Sequence, residues 1–187
     1  AHRHLREAAW KYLVTSPMIS SQPTEAHRAL ARFDAEGQLR LLVTQNVDGL
    51  HQAAGHEPTR VFDAHGNLRD VVCVGCQRRQ PTGVVLDRVR AGDPDPACEA
   101  CGGILKVAAV FFGESLDNDA LDHALAAAAG CSLLVAIGTT LSVWPVSDLA
   151  RRAPRLLIIN AGTTELDQRA SLILRDPIDE VVPALFG

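Results

Sequence analysis

The sequence predicts an α/β protein: a parallel sheet whose strands end at one shared ligand crevice, with a small metal-stapled lobe inserted in the chain. Three observations carry this prediction. Short apolar runs at 41–43, 133–137 and 156–159 are the pattern of buried parallel strands. Each run ends in polar or small residues, Thr44-Gln45-Asn46, Gly138-Thr139-Thr140 and Asn160-Ala161-Gly162, and a helical pattern follows. In open α/β sheets ligands bind beyond the carboxyl ends of the strands, so three such ends point to a nucleotide-like ligand. Finally, four of the five cysteines form two Cys-x-x-Cys pairs.

The totals narrow the class. A chain of 187 residues, 47% hydrophobic, suits one domain or one domain with a small insert. The net charge of -4 supplies no basic footprint, so no nucleic-acid partner is expected. No apolar run approaches the length of a membrane span, and the opening residues do not read as a secretory leader. Residue 1 is Ala rather than Met, so an N-terminal portion is expected to lie outside this sequence. Paired cysteines without a disulfide framework fit a reducing, cytoplasmic compartment.

Taken in order, residues 1–20 place Leu5, Ala8, Ala9, Tyr12 and Leu13 at helical spacing, and Pro17 argues against continuation past it. His2 and His4 are read as solvent-facing. Residues 23–33 form a second helix with Ala26, Ala29, Leu30 and Phe33 on one face. Thr24 caps it, His27 packs or caps, and Gly37 ends it. The strand at 41–43 then delivers Thr44, Gln45, Asn46 and Asp48, and Gly49 lets the chain turn. Alone, this stretch divides evenly between a ligand crevice and a helix entry capped by Asp48. A short helix at 50–54, closed by Gly55, precedes strand character at 59–62. His65-Gly66 follows, where a glycine lets a ligand approach closely. A lone histidine is by default a satisfied structural residue.

Cys73, Cys76, Cys98 and Cys101 supply the tetrahedral thiolate set of a structural zinc, and leave no open position for a catalytic one. Two redox pairs are the alternative, weakened by the absence of a thioredoxin-like context. The segment 77–97 between the pairs is polar and carries Pro81, Gly83, Pro94 and Pro96, a small lobe that a metal can staple. Cys131 reads as a buried small hydrophobe. The apolar run 105–112 is a strand or extended linker. A helix over 116–129 begins at Asp117 or Asn118 and stops at Gly130. After the strand at 133–137, the amides and hydroxyls of Gly138-Thr139-Thr140 could bind phosphate or ribose. A helix at 147–152, the strand at 156–159, a helix start at 167–170, a short strand at 171–174 and a closing helix at 177–185 complete the chain.

Together, Thr44-Gln45-Asn46-Val47-Asp48-Gly49-Leu50-His51, His65-Gly66, the four cysteines, Phe112-Gly113-Glu114, Gly138-Thr139-Thr140 and Asn160 resemble the sirtuins, NAD-dependent protein deacylases. These motifs stand in family order across nearly the whole chain from Pro23 onward. The resemblance implies a Rossmann-like parallel sheet with helices on both faces and a small zinc-ribbon lobe. It implies an NAD-binding domain over 1–67 and 109–187, with 1–22 in a helical cofactor-loop module, and a zinc-binding domain over 68–108. Acyl-lysine peptide and NAD would meet between the two, yielding deacylated lysine, nicotinamide and O-acyl-ADP-ribose. His65 matches the general base, a task suited to an imidazole. Asn46 and Asp48, with Val47 between them, match the nicotinamide pocket, and Gln45 matches a ribose contact. Gly138, Thr139 and Thr140 match the segment along ribose and phosphates. Asn160, Ala161, Gly162 and Ile178 match the adenosine end. Val110, Phe111, Phe112, Gly113 and Glu114 match the segment that pairs with substrate backbone.

The sequence also departs from the family. The Gly-Ala-Gly-Ile-Ser turn and Pro-Asp-Phe-Arg segment that normally open it are absent, so the native protein is expected to be longer. If the chain were whole, cofactor binding and catalysis would both be in doubt. Lys106-Val107-Ala108-Ala109 replaces the common Lys-Pro-Asp-Val, and Thr140 stands where Ser is common. Three residues after Tyr12 stands Thr15 rather than the Arg of the Tyr-x-x-Arg pair of the succinyl-removing subgroup. Two other activities fit the same scaffold: mono-ADP-ribosyl transfer or NAD hydrolysis, and non-catalytic nucleotide binding by a truncated module.

Overall fold

The computed structural model describes residues 2–111 and 113–187. In chain order its elements are helices α1 (Arg3–Thr15), α2 (Pro17–Ser20) and α3 (Glu25–Ala35), strand β1 (Leu42–Thr44), helix α4 (Leu50–Ala53), strands β2 (Val61–Asp63), β3 (Gly66–Cys73) and β4 (Arg79–Pro81), helix α5 (Thr82–Arg90), strand β5 (Leu105–Ala109), helix α6 (Asn118–Ala129), strand β6 (Leu134–Ile137), helix α7 (Asp148–Arg152), strands β7 (Leu156–Ile159) and β8 (Leu172–Leu174), and helix α8 (Ile178–Phe186). Single 3-10 turns lie at Pro58–Arg60 and Asp167–Arg169. No helix of the described residues is long and apolar enough to cross a membrane.

The chain divides into two compact units. One comprises Ala1–Gln22, Asn46–Gly49 and His65–Glu114; the other comprises Pro23–Gln45, Leu50–Ala64 and Ser115–Gly187. The cysteine-bearing unit is therefore wider than the expected lobe at 68–108. The cause is packing: α1 contributes Trp10, only 3% exposed, to the same core as Cys73 and Cys98.

In the second unit the apolar runs form parallel ladders, β6 beside β7 and β7 beside β8, with Ile137 opposite Ile159 and Ile159 opposite Leu174. All four residues of β7 are buried. Alternate side chains serve opposite faces. Leu156 and Ile158 pack with Ala136, Leu141, Ala150 and Leu166, whereas Leu157 and Ile159 pack with Ala26, Ala29 and Val182 of α3 and α8. Helices thus cover both faces, and burying each large side chain of β7 stabilises the unit by about 1.5–3 kcal/mol. Strands β1 and β2 form a separate parallel pair, Leu42 opposite Val61. Val43 and Phe62 from that pair and Leu134 from β6 pack on one cluster with Leu121, Ala124 and Ala128 of α6. Helix α6 begins where Asp117 accepts a hydrogen bond from the Ala120 N–H at 3.0 Å and ends at Gly130, as its sequence signals predict.

The first unit is built on the antiparallel sheet β4-β3-β5. Its register shifts between Gly66 and Val71. There the Asn67 Oδ1 accepts from the N–H groups of Arg69 and Asp70, both at 3.0 Å, and satisfies donors that the ladder does not use. Helix α5 closes the sheet with Val85 and Leu86, 0% and 1% exposed. Sequence reading treats 77–97 as a polar, metal-stapled small lobe, assigns no element within it, and leaves 66–73 unassigned. The segment instead carries β4 and α5, whose apolar residues are too few to outweigh their charged neighbours in a local pattern. The expected face of α1 is also corrected. Leu5 and Tyr12 are 55% and 61% exposed, while Trp10 is buried. Arg6 turns that side inward by donating to Asp95, with Nε at 2.8 Å from Oδ1. Of the run 105–112, read as a strand or extended linker, Leu105–Ala109 form β5; beyond it Gly113, at φ +90°, belongs to a turn in which the Glu114 N–H donates to the Phe111 carbonyl at 2.9 Å.

Candidate functional site

His65 occupies the two-residue turn between β2 and β3, half-buried. Its carbonyl accepts from the Val110 N–H at 2.8 Å, so the histidine is tied to the end of β5. Gly66 makes that approach possible: its φ is +68°, and a Cβ there would lie 2.1 Å from the Ala108 carbonyl oxygen. The missing side chain of this glycine admits the backbone of the neighbouring strand. Two residues on, the Leu68 N–H donates to the Val47 carbonyl at 2.8 Å. Gly49, at φ +75°, leaves room for Arg69, whose Cδ would sit 2.4 Å from an added Cβ. Asn46, Val47, Asp48, His65 and Val110 are thereby brought together within one unit. Asn46 is exposed and Asp48 half-buried.

Past Val110, Phe111 is exposed, Phe112 lies outside the described residues, and Gly113 and Glu114 complete the turn. The Glu114 carboxylate accepts from the Phe111 N–H at 3.0 Å and from Lys106 Nζ at 2.6 Å, and Lys106 lies 5.0 Å from the Phe111 ring centroid. The Lys106 hydrogen bond, then that of Phe111, holds the Glu114 carboxyl below its usual range. Lys106 carries no sequence signal for this role, since its partner is chosen by the turn.

The remaining predicted residues belong to the parallel-strand unit. Gly138, Thr139 and Thr140 leave β6, and Asn160, Ala161 and Gly162 leave the adjacent β7, side by side at the carboxyl ends. The Gly138 N–H donates to the Ile159 carbonyl at 2.9 Å. Gly138 has φ +62°, and an added Cβ would meet Ile178 Cδ1 at 3.1 Å. Gly138, Asn160 and Ile178 thus converge, and Gln45 leaves the separate β1 pair. The Thr139 Oγ1 accepts from the Leu141 N–H at 3.1 Å, and Leu141 adopts φ +56° while buried. Sequence reasoning misses Arg175. Its guanidinium donates to the Asn160 carbonyl at 2.8 Å, to the Gly162 carbonyl, and to Asp167 Oδ2 at 2.6 Å.

The Sγ atoms of Cys73, Cys76, Cys98 and Cys101 all lie within 4.8 Å of one another. Cys73 and Cys98 are buried, and Cys76 and Cys101 are exposed. The Cys76 N–H pulls the Cys73 thiol down to about 6. The Gly103 N–H acts in the same direction on Cys101, but Cys76, Cys73, burial and Cys98 together push it up to about 12. Four thiols this close cannot all ionise without a cation among them, and the set suits one tetrahedral zinc. Gly103 backs the cluster: an added Cβ would lie 2.9 Å from Cys73 Sγ and 3.1 Å from Cys101 Sγ.

The Sir2 family matches residues 2–145. The chain is 43% identical over 186 residues to NAD-dependent protein deacetylase 2 of Streptomyces coelicolor, covering 97% of this chain and 77% of that one. Among solved structures, one described as Sir2–p53 peptide–NAD+ superposes with a TM-score of 0.87 at 30% identity, covering 96% of this chain and 76% of that one. Another, Sir2 bound to acetylated peptide, gives 0.84 at 31% identity, covering 91% and 72%.

Proposed function

The chain belongs to the Sir2 family, and from that premise we propose how its residues divide the work of an NAD-dependent protein deacetylase. The enzyme removes acyl groups from lysine side chains of protein or peptide substrates at the expense of NAD, and four cysteines hold one structural zinc. NAD supplies the ADP-ribosyl group that receives the acyl group.

His65 serves as general base, its imidazole nitrogen taking a proton from a ribose hydroxyl. Asn46 and Asp48, spaced by Val47, orient the nicotinamide end, and Gln45 contacts the ribose. The backbone of Gly138, Thr139 and Thr140 runs along ribose and phosphates, and Asn160, Ala161, Gly162 and Ile178 receive the adenosine. Val110, Phe111, Phe112, Gly113 and Glu114 align extended substrate. The observation that supports this assignment best is the joining of Asn46, Asp48, His65 and Val110 by the Val47–Leu68 and His65–Val110 backbone bonds. Zinc-holding thiols need reducing surroundings, which supports a cytoplasmic location.

The test is nicotinamide release with acetyl-lysine peptide. His65→Ala should lower it by about 100-fold or more while zinc content stays at one per chain. Unchanged turnover would remove His65 from the mechanism. Nicotinamide release without peptide would favour NAD hydrolysis or ADP-ribosyl transfer.

A further inference from the structure

We infer that Arg175 is a positioning residue for the adenosine end of the NAD site, acting through the Asn160-Ala161-Gly162 backbone. The inference rests on the assignment of that loop to adenosine. Asn160 is the first residue after β7 and Arg175 the first after β8, and the two strands pair Ile159 with Leu174. The Asn160 N–H donates to the Leu174 carbonyl at 3.1 Å, so the ladder carries the two residues out side by side.

From there the Arg175 fork spans three acceptors. One nitrogen donates to the carbonyls of Asn160, at 2.8 Å, and Gly162. The other donates to Asp167 Oδ2 at 2.6 Å. Asp167 is itself held, because its Oδ1 accepts from the Thr164 N–H at 3.1 Å and the Thr164 hydroxyl at 2.8 Å. Arg175 is therefore anchored at one end and grips two loop carbonyls at the other.

The loop needs that grip. Ala161 and Gly162 are exposed and have no side chain able to fasten it, and glycine gives the backbone its widest freedom. The Asn160 amide nitrogen turns back to the Gly162 carbonyl at 2.9 Å, which leaves its Oδ1 to accept from a ligand. A loop ordered before binding spares the ligand the cost of ordering it. Only a planar guanidinium reaches two carbonyls and a carboxylate together; a lysine is a single point.

The adenosine end touches none of the reacting atoms, so loosening it removes binding that ground and transition states share. Arg175→Ala in the full chain should raise KM for NAD about tenfold, with kcat within about twofold. KM for peptide should not move. Calorimetric affinity for ADP-ribose should fall by the same factor, and Arg175→Lys should restore part of it. Asn160→Ala is the reference. If it weakens ADP-ribose binding while Arg175→Ala does not, the role of Arg175 is overturned and the adenosine assignment stands. If neither variant matters, that assignment fails as well. Should Arg175→Ala not fold, Asp167→Asn decides: its Oδ1 can keep the Thr164 bonds, but its NH2 group then faces the Arg175 guanidinium donor to donor, so that bond and its charge are lost. A rise in KM for NAD of about threefold or more supports the inference; an unchanged KM overturns it.

Discussion

Gly66, paired with Ala109 across the β3–β5 sheet, lies so close to the residue before that partner that a Cβ on it would stand 2.1 Å from the Ala108 carbonyl oxygen. The obstacle is backbone, which cannot swing aside as a side chain can, and φ is +68°. Gly66→Ala should therefore cost about 2–4 kcal/mol, from left-handed strain together with separation of the strands. It should also displace His65, lowering deacetylation at least tenfold. Gly83, in the first turn of α5 with open space around it, is the control. Gly83→Ala should be neutral or stabilise by up to about 1 kcal/mol. Urea melts and nicotinamide release read both variants, and a Gly66→Ala protein with wild-type stability would refute the close approach.

The four thiols predict one zinc per chain by elemental analysis. Cys98→Ser, buried in the cluster, should lose the metal and the hydrogen-exchange protection of β3, β4 and β5, whereas Cys131→Ser should keep both. Gly103→Val should weaken zinc retention, because even the first carbon of its side chain meets Cys73 Sγ at 2.9 Å. Full zinc occupancy in Cys98→Ser would contradict the site.

Asp34, 2% exposed, predicts a fall in stability with acid. Burial alone would raise its pKa, but hydrogen bonds from Arg60, the Glu57 N–H and His56 outweigh burial and hold it below the ordinary value. A carboxyl depressed in the folded state contributes fully above its unfolded pKa of roughly 4 and loses that contribution as pH falls through the lower folded value. Asp34→Asn should thus be less stable than wild type at pH 7 by about 1–3 kcal/mol, with the gap closing below about pH 4. Urea midpoints of the pair at several pH values measure it. A gap that stays constant into acid would count against the ionised carboxylate.

Gly138 should tolerate substitution poorly for a different reason. Its Cβ neighbour, Ile178 Cδ1 at 3.1 Å, is the end of a side chain and can move, so the penalty comes chiefly from φ +62°. Gly138→Ala should destabilise by about 1–2 kcal/mol and raise KM for NAD more than it lowers kcat. A lowered kcat at constant KM would place Gly138 elsewhere in the reaction.

Much of this protein was legible along the chain. Apolar runs ending in polar residues located β6 and β7 and the loops at their ends. Asp117 and Gly130 bounded α6, and the spacing of four cysteines announced the zinc. Each is a local pattern of period or spacing, set by the geometry of one helix, one strand or one metal. Tertiary structure decided the rest. Arg6 meets Asp95 across 89 residues of sequence and so fixes which face of α1 is buried. Arg175 reaches back 13 and 15 residues to the carbonyls it holds. Gly66 is required by Ala108, and Asp34 is buried because Arg60 and the Glu57 N–H answer its charge. These partners are selected by packing, which brings together residues that no local periodicity links, and a chain read residue by residue holds no record of the distances between them.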